Sequence, residues 1–234
     1  MKVIILAGGF GTRISEETDN KPKPMVLLDD KPIIWHLMEI YARQGFIDFV
    51  IATGYKSEVI HDWVANLETD WRIQPVYTGL ETQTAGRIKQ IIDRFDEPQF
   101  MITYGDGLGN VNIKNLLIHH NRQGRTATVT AVRPPSRFGV IQSHESLVTH
   151  FGEKNQVDSG WINGGFFVVE KRIEKYFDSL SDSFEANVLP KLVGEGELTS
   201  FHHEGFWQPM DTLREKNDLS IFAKDPKSYW LKDL

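Results

Sequence analysis

Short β-branched and aromatic runs alternate with amphipathic stretches through the first 133 residues. The runs fall at 3–7, 49–53, 73–77, 100–104 and 127–132, each bounded by Gly, Pro, Asp or Thr, and they predict buried strands. Between them, 32–43 carries Ile33, Ile34, Leu37, Met38, Ile40 and Tyr41 at helical spacing ahead of Gly45, and 57–67 opens on Ser57 as a plausible cap. Helices are predicted there and over 86–95 and 113–123, the last stopped by Gly124. This alternation predicts an α/β fold with a Rossmann-like, mixed but mostly parallel sheet and helices on both faces. After Pro134 the rhythm changes to closely spaced strands at 138–141, 147–151 and 161–169, then helices near 171–177, 184–193 and 212–221. The late strands are expected to add antiparallel to the same sheet. No linker, charge block or repeat divides the chain, so a single domain is expected, with parts 1–133 and 134–223 and a loosely packed or interfacial tail over 224–234.

Composition narrows the function classes. With 234 residues, 40% hydrophobic and 25% charged, the chain is long and apolar enough to bury a core unaided, which excludes disorder. The absence of cysteine excludes a disulfide framework, a zinc ribbon, an iron-sulfur site and a thiol nucleophile, and suits a cytoplasmic location. No run approaches 18 apolar residues, and 3–7 is too short for a signal-peptide core, so neither a membrane nor a secretion address is read. A net charge of −6 without basic clusters interleaved with aromatics gives no field for a nucleic-acid backbone.

The chemistry starts at LAGGFGTR, residues 6–13, just after the first predicted strand. Three glycines in four positions permit positive φ and leave backbone N–H groups uncovered, which suits phosphate oxygens. A dinucleotide fingerprint fails at Ile14, where a small residue is needed, and a P-loop fails at Arg13-Ile14-Ser15, where Gly-Lys-Ser/Thr is needed. A ligand-free tight turn stays open on glycine content alone; Arg13 weighs toward polyphosphate, because a bidentate cation beside free amides matches its charge. In KPKP, residues 21–24, proline disfavours helix in the residue before it. If extended, Lys21 and Lys23 then point to opposite sides.

LAGGFGTR followed by KPKPM at 21–25 resembles the signature of the sugar-1-phosphate nucleotidylyltransferases. The wording of ISEET at 14–18, KPIIWH at 31–36, TYGDG at 103–107, PPSRFG at 134–139, INGGFF at 162–167 and GFWQPMDTLR at 205–214 is similar to the glucose-1-phosphate cytidylyltransferases within that family. The resemblance implies in-line attack by a sugar-phosphate oxygen on the α-phosphorus of CTP, with release of pyrophosphate and Mg²⁺ as cofactor. It also implies a nucleotide-binding part over 1–133, a sugar-binding part over 134–223, and a homo-oligomer as the working form.

Roles carry over position by position. Arg13 would hold the β- and γ-phosphates, with Leu6, Ala7, Gly8, Gly9, Gly11 and Thr12 forming the nucleotide loop. The family match selects Lys23, rather than Lys21, for the α-phosphate. Asp106, between Gly105 and Gly107 at a strand end, and Asp211 would hold Mg²⁺, whose octahedron two carboxylates, phosphate oxygens and water would fill. Thr82 and Arg87 would read the base, and Gly105 would lie along the nucleotide. On the sugar side stand Glu153 and Lys154, then Asn163 and Gly164, where glycine lets a ligand approach the strand or marks a β-bulge, and Glu185. Three features depart from the family wording: Asn155, Asn187 and a shorter connection between 57–67 and the strand at Val76. They leave open a different phosphorylated acceptor, and more remotely a non-catalytic nucleotide-binding subunit. The pairs His119-His120 and His202-His203 lack the His-Glu spacing of a zinc helix and read as surface or helix-face residues.

Overall fold

The computed structural model describes residues 1–134, 139–153, 160–225, 227 and 229–234. In chain order the strands are β1 (Lys2–Ala7), β2 (Leu27–Leu28), β3 (Lys31–Pro32), β4 (Asp48–Thr53), β5 (Arg72–Tyr77), β6 (Gln99–Tyr104), β7 (Gly107–Gly109), β8 (Ala127–Val132), β9 (Gly139–His144), β10 (Leu147–Glu153), β11 (Ile162–Glu170), β12 (Leu198–His203) and β13 (Trp207–Pro209). The α-helices are α1 (Ser15–Thr18), α2 (Ile33–Ala42), α3 (Ser57–Ala65), α4 (Thr84–Ile92), α5 (Ile113–Gln123), α6 (Leu189–Gly194) and α7 (Leu213–Phe222).

Seven strands form the main sheet in the order β12-β8-β11-β6-β1-β4-β5. β5, β4, β1 and β6 pair in parallel, β11 runs antiparallel to both β6 and β8, and β12 pairs parallel to β8. Alternation along the central strands sends side chains to two cores. Val3, Ile5, Phe49, Ile51 and Met101 pack under α2, whereas Ile4, Val50, Phe100 and Ile102 pack with Ile88, Ile91 and Ile92 of α4. The chain leaves β1 for β4 and β5 on one side and returns to β6 on the other. A switch point therefore lies between β1 and β6, where open α/β sheets bind ligands beyond the carboxyl ends of their strands.

Four expectations need correction. The hairpin β9–β10 forms its own two-stranded sheet and does not extend the main one. The added edge is β12, whose sequence LTSFHH has no apolar run because only one neighbour and part of one face cover it. Ser57 does not cap α3; Lys56 holds the N-cap position at φ 48° with no side-chain cap, and Ser57 is the first helical residue. The tail is not loose: Trp230 is fully buried, its ring 5.3 Å from His36 and 6.3 Å from Phe206. The segment expected as one helix over 184–193 starts as a wide turn at Phe184–Val188 and tightens into α6, where Pro190 has no N–H to continue a regular ladder.

Candidate active site

A cleft of about 1150 Å³ opens at this switch point, lined by the ends of β1 and β6, the loop before α4, the start of β11, and Asp211. That exceeds the roughly 300–1000 Å³ of a typical single-ligand pocket. It leaves room for two polar substrates side by side.

The glycine loop forms its phosphate-facing wall. Gly11 has φ 66° and ψ 28°, the left-handed region where a side chain is strained, and its carbonyl accepts from the Ile14 N–H at 3.1 Å. Thr18 Oγ1 donates to the carbonyls of Gly11 and Ile14, both at 3.2 Å, which fixes the far side of the loop. Leu6, Ala7, Gly8, Gly9, Gly11, Thr12 and Gly105 all line the cleft.

Two aspartates 105 positions apart meet here, and a small antiparallel ladder explains how. β7 pairs with β13, setting Gly107 opposite Pro209, and the Met210 N–H donates to the Asp106 carbonyl at 2.8 Å. Asp106 immediately precedes β7 and Asp211 closely follows β13, so the ladder brings both carboxylates to one corner. Lys23 Nζ lies between them, 2.6 Å from Asp106 Oδ2 and 2.8 Å from Asp211 Oδ1. Arg13 Nη1 is 2.8 Å from Asp211 Oδ2. Burial alone would lower the Lys23 amine, but the charges and hydrogen bonds of Asp106 and Asp211 outweigh it and hold it above its ordinary value. Asp211 is held from behind as well. Glu215 Oε2 accepts from the N–H groups of Asp211 and Thr212 at 2.8 and 2.9 Å, while Thr212 caps α7 through the Glu215 N–H at 3.2 Å.

Lys21 is absent from the cleft lining, whereas Lys23 is on it. Pro22 is extended, and Lys23 opens a short 3₁₀ turn that carries its amine inward. The two carboxylate oxygens converge on a point already held by a cation. That donor set fits a hard divalent ion whose remaining ligands are phosphate and water oxygens. Among the described residues no group of three or more His, Cys, Asp or Glu side chains could hold a metal by itself. His120 is fully buried and bonded to Thr128 Oγ1 at 2.8 Å and Glu170 Oε1 at 3.2 Å.

On the base side, Thr82 lines the cleft. Arg87, expected to read the base, also lines the cleft; it is 4% exposed and donates to the carbonyls of Gly8, Thr53, Gly79 and Leu80 and to the Thr78 hydroxyl at 2.7–3.3 Å. It ties the glycine loop, the end of β4 and the loop before α4 into one wall. A Cβ on Gly8 would lie 2.2 Å from its guanidinium, which is why that position is glycine.

On the acceptor side, Asn163 and Gly164 line the cleft at an irregularity in the β11–β8 pairing between Asn163 and Phe167, so the glycines both form the bulge and open the strand. Glu185, expected to bind the sugar phosphate, is not on the lining; its carboxylate accepts from Tyr104, Thr84 and Ser183. Tyr104, which closes the predicted strand 100–104 without an expected site role, is on the lining. β10 ends at Glu153, whose side chain lies outside the described residues together with all of Lys154 and Asn155.

Residues 2–230 match the family described as Nucleotidyl transferase. The chain is 40% identical over 253 aligned residues to the glucose-1-phosphate cytidylyltransferase of Salmonella typhimurium, covering 98% of each protein. It is 33% identical to the mannose-1-phosphate guanyltransferase of Hypocrea jecorina, over 94% of this chain and 63% of that one. The crystal structure of HddC from Yersinia pseudotuberculosis superposes with a TM-score of 0.76 at 24% identity, over 94% of this chain and 98% of that one, a likeness of fold.

Proposed function

The chain belongs to the nucleotidyl transferase family, and from that membership we propose that it transfers CMP from CTP to α-D-glucose 1-phosphate, giving CDP-glucose and pyrophosphate. The observation that carries the reading is the corner where Arg13, Lys23, Asp106 and Asp211 converge at the end of a cleft sized for two substrates. The 40% identity to the Salmonella glucose-1-phosphate cytidylyltransferase supports the choice of nucleotide and acceptor.

In this reading a phosphate oxygen of glucose 1-phosphate attacks the α-phosphorus of CTP. The new P–O bond forms as the bond to the bridging oxygen breaks, and pyrophosphate leaves with its electron pair. A phosphate monoester has a second pKa near ~6, so the nucleophile is already mostly dianionic at neutral pH and needs no general base. The work of the protein is then to align two polyanions that repel and to compensate the charge that develops on the departing oxygens. Arg13 and the glycine-loop amides hold the outer phosphates, Lys23 meets the α-phosphate, and Asn163 and Gly164 face the acceptor. Asp106 and Asp211 would hold Mg²⁺, which supplies charge neutralisation for the triphosphate. The edge of cytosine lies against Leu6–Gly8 and Thr82, on a wall that Arg87 keeps in shape.

Lys23 and Arg13 now neutralise the two carboxylates. Phosphates that draw those cations toward themselves would open Asp106 and Asp211 to a divalent ion, which supports coupled binding of nucleotide and divalent ion. The test is pyrophosphate release across the four nucleoside triphosphates and a set of phosphorylated acceptors in the presence of Mg²⁺. The highest rate is expected at CTP with glucose 1-phosphate; a profile led by any other pair overturns the substrate assignment. A different phosphorylated acceptor is the second reading, motivated by Asn155, Asn187 and the shorter connection before Val76, where the chain departs from the family wording.

A further inference from the structure

A hydrogen-bond chain crosses the acceptor side of the cleft, and of its members only Asn163 has a part in the chemistry above. Tyr104, the last residue of β6, donates its hydroxyl to Glu185 Oε1 at 2.5 Å and accepts from Asn163 Nδ2 at 3.0 Å. The other Glu185 oxygen accepts from Thr84 Oγ1 and Ser183 Oγ, both at 2.8 Å. Thr84 Oγ1 in turn accepts from the Phe184 N–H at 2.8 Å. One tyrosine hydroxyl therefore links α4 on the nucleotide side, β11 on the acceptor side and the turn at Phe184–Val188.

The ring is fixed as firmly as the hydroxyl. It packs edge-on against Phe167 at 5.9 Å, and a Cβ on Gly165, which has φ 80°, would lie 2.6 Å from it. Burial and the Glu185 carboxylate raise the Tyr104 phenol well above its usual range, so it is a donor at neutral pH. Glu185 has about four lone-pair positions. Tyr104, Thr84, Ser183 and its own backbone N–H occupy them. Asn163 is equally constrained: Oδ1 accepts from the Gly165 N–H at 2.8 Å, which settles the amide orientation, and one Nδ2 hydrogen goes to Tyr104. Its second amide hydrogen is left for an oxygen in the cleft.

We infer that Tyr104 and Glu185 are a positioning pair for the sugar-phosphate acceptor, with Glu185 acting through the tyrosine hydroxyl to orient Asn163 and never touching substrate itself. The inference rests on the transfer reaction proposed above. It makes acceptor recognition depend on a carboxylate outside the cleft lining.

The test is made on the full-length enzyme with Tyr104→Phe, Glu185→Ala, Glu185→Gln and the double variant Tyr104→Phe/Glu185→Ala. The readouts are KM for each substrate, kcat, calorimetric binding of CTP and of glucose 1-phosphate, and melting temperature. Tyr104→Phe and Glu185→Ala are expected to raise the acceptor KM about tenfold, the scale of one misaligned hydrogen bond, while CTP binding stays within about twofold. Glu185→Gln should stay close to the parent, because its amide oxygen still accepts from Tyr104. The double variant should be no worse than either single one, since both break the same chain. A raised KM in Glu185→Ala with an unchanged KM in Tyr104→Phe would make Glu185 a direct ligand and overturn the pair. Unchanged acceptor KM in both, with only a lower melting temperature, would reduce the chain to a structural strut. Should the parent prefer another acceptor, the substrate assignment fails separately, and the four variants are read with that acceptor. Calorimetry with glucose 1-phosphate reads the pair even without turnover.

Discussion

The two ends of the cleft are built by opposite means. At the phosphate end, formal charges meet on loops that leave strand ends: two cations and two carboxylates compensate one another within 2.6–2.8 Å. At the acceptor end, the lining side chains Tyr104, Thr84 and Asn163 are neutral, and hydrogen bonds anchor them to a carboxylate off the wall. The first arrangement stores charge that substrates can redistribute. The second stores geometry. The phosphate end is therefore expected to govern turnover, and the acceptor end to govern which molecule is turned over.

The strongest way to break this comparison is to remove a charge. Lys23→Ala, Arg13→Ala and Asp211→Ala are each expected to lower kcat about 10²-fold or more, the scale of a lost electrostatic contact in the transition state. Steady-state pyrophosphate release measures it, and turnover near the parent's in any one variant removes that residue from its role. Lys23→Met gives a readout without turnover: with the amine gone from between Asp106 and Asp211, and Arg13 still on Asp211, Mn²⁺ alone should bind more tightly than to the parent, as followed by paramagnetic titration. Unchanged Mn²⁺ affinity would place the divalent ion elsewhere.

These ends also differed in how well they could be read from the chain. Arg13, Lys23, Asp106 and Asp211 sit in short glycine- and proline-marked segments, where covalent neighbours already dictate a turn. β7 and β13 escaped detection because three-residue strands carry no periodicity, yet their ladder is what joins the aspartates. The Tyr104–Glu185 chain was illegible for a related reason. Its members are 81 positions apart, and a glutamate in a helical-looking stretch gives no sign of whether it faces ligand or tyrosine. Arg87 lies on the cleft lining, and its bonds to five oxygens of its own chain were not legible, since a lone arginine near a binding loop reads alike whether it holds a base or its own backbone. For the sheet, the central strands were legible because burial on both faces demands apolar runs. The edge strand β12 was not, because LTSFHH carries no apolar run, whereas β5 at the other edge keeps Ile73, Val76 and Tyr77.

Between the two ends stands Arg87, and Arg87→Ala tests whether the wall it holds is common to both. It would remove five hydrogen bonds at once, taking one of several donors from the carbonyls of Gly8 and Thr53 and the guanidinium from those of Gly79 and Leu80, so a loss of about 2 kcal/mol in urea unfolding is expected, together with weaker CTP binding. A stability loss without any change in CTP affinity would separate the wall from the nucleotide. Gly165→Ala sharpens the acceptor end alone. Its φ of 80° and the Tyr104 ring 2.6 Å from a built Cβ predict a cost of about 1–3 kcal/mol, with acceptor KM raised and CTP binding kept.

The smallest effect is a pH dependence confined to the acceptor end. Burial pushes the Glu185 carboxyl up, but hydrogen bonds from Tyr104, its own backbone N–H, Ser183 and Thr84 outweigh it and hold the group below its ordinary value of 4.5. A depressed carboxylate binds its proton less readily folded than unfolded. Its contribution is therefore complete above the unfolded pKa and falls away as pH drops below about 4.5 through the folded value. Glu185→Gln, which cannot titrate, should lower stability at pH 7, where the carboxylate's contribution is complete, and the gap to the parent should narrow as pH falls below about 4.5. Urea unfolding of parent and variant at pH 7 and near pH 4 measures the difference. An equal stability loss at both pH values would mean that the Tyr104 hydroxyl responds to the shape of its partner and not to its charge, and the acceptor end would then owe its geometry to packing.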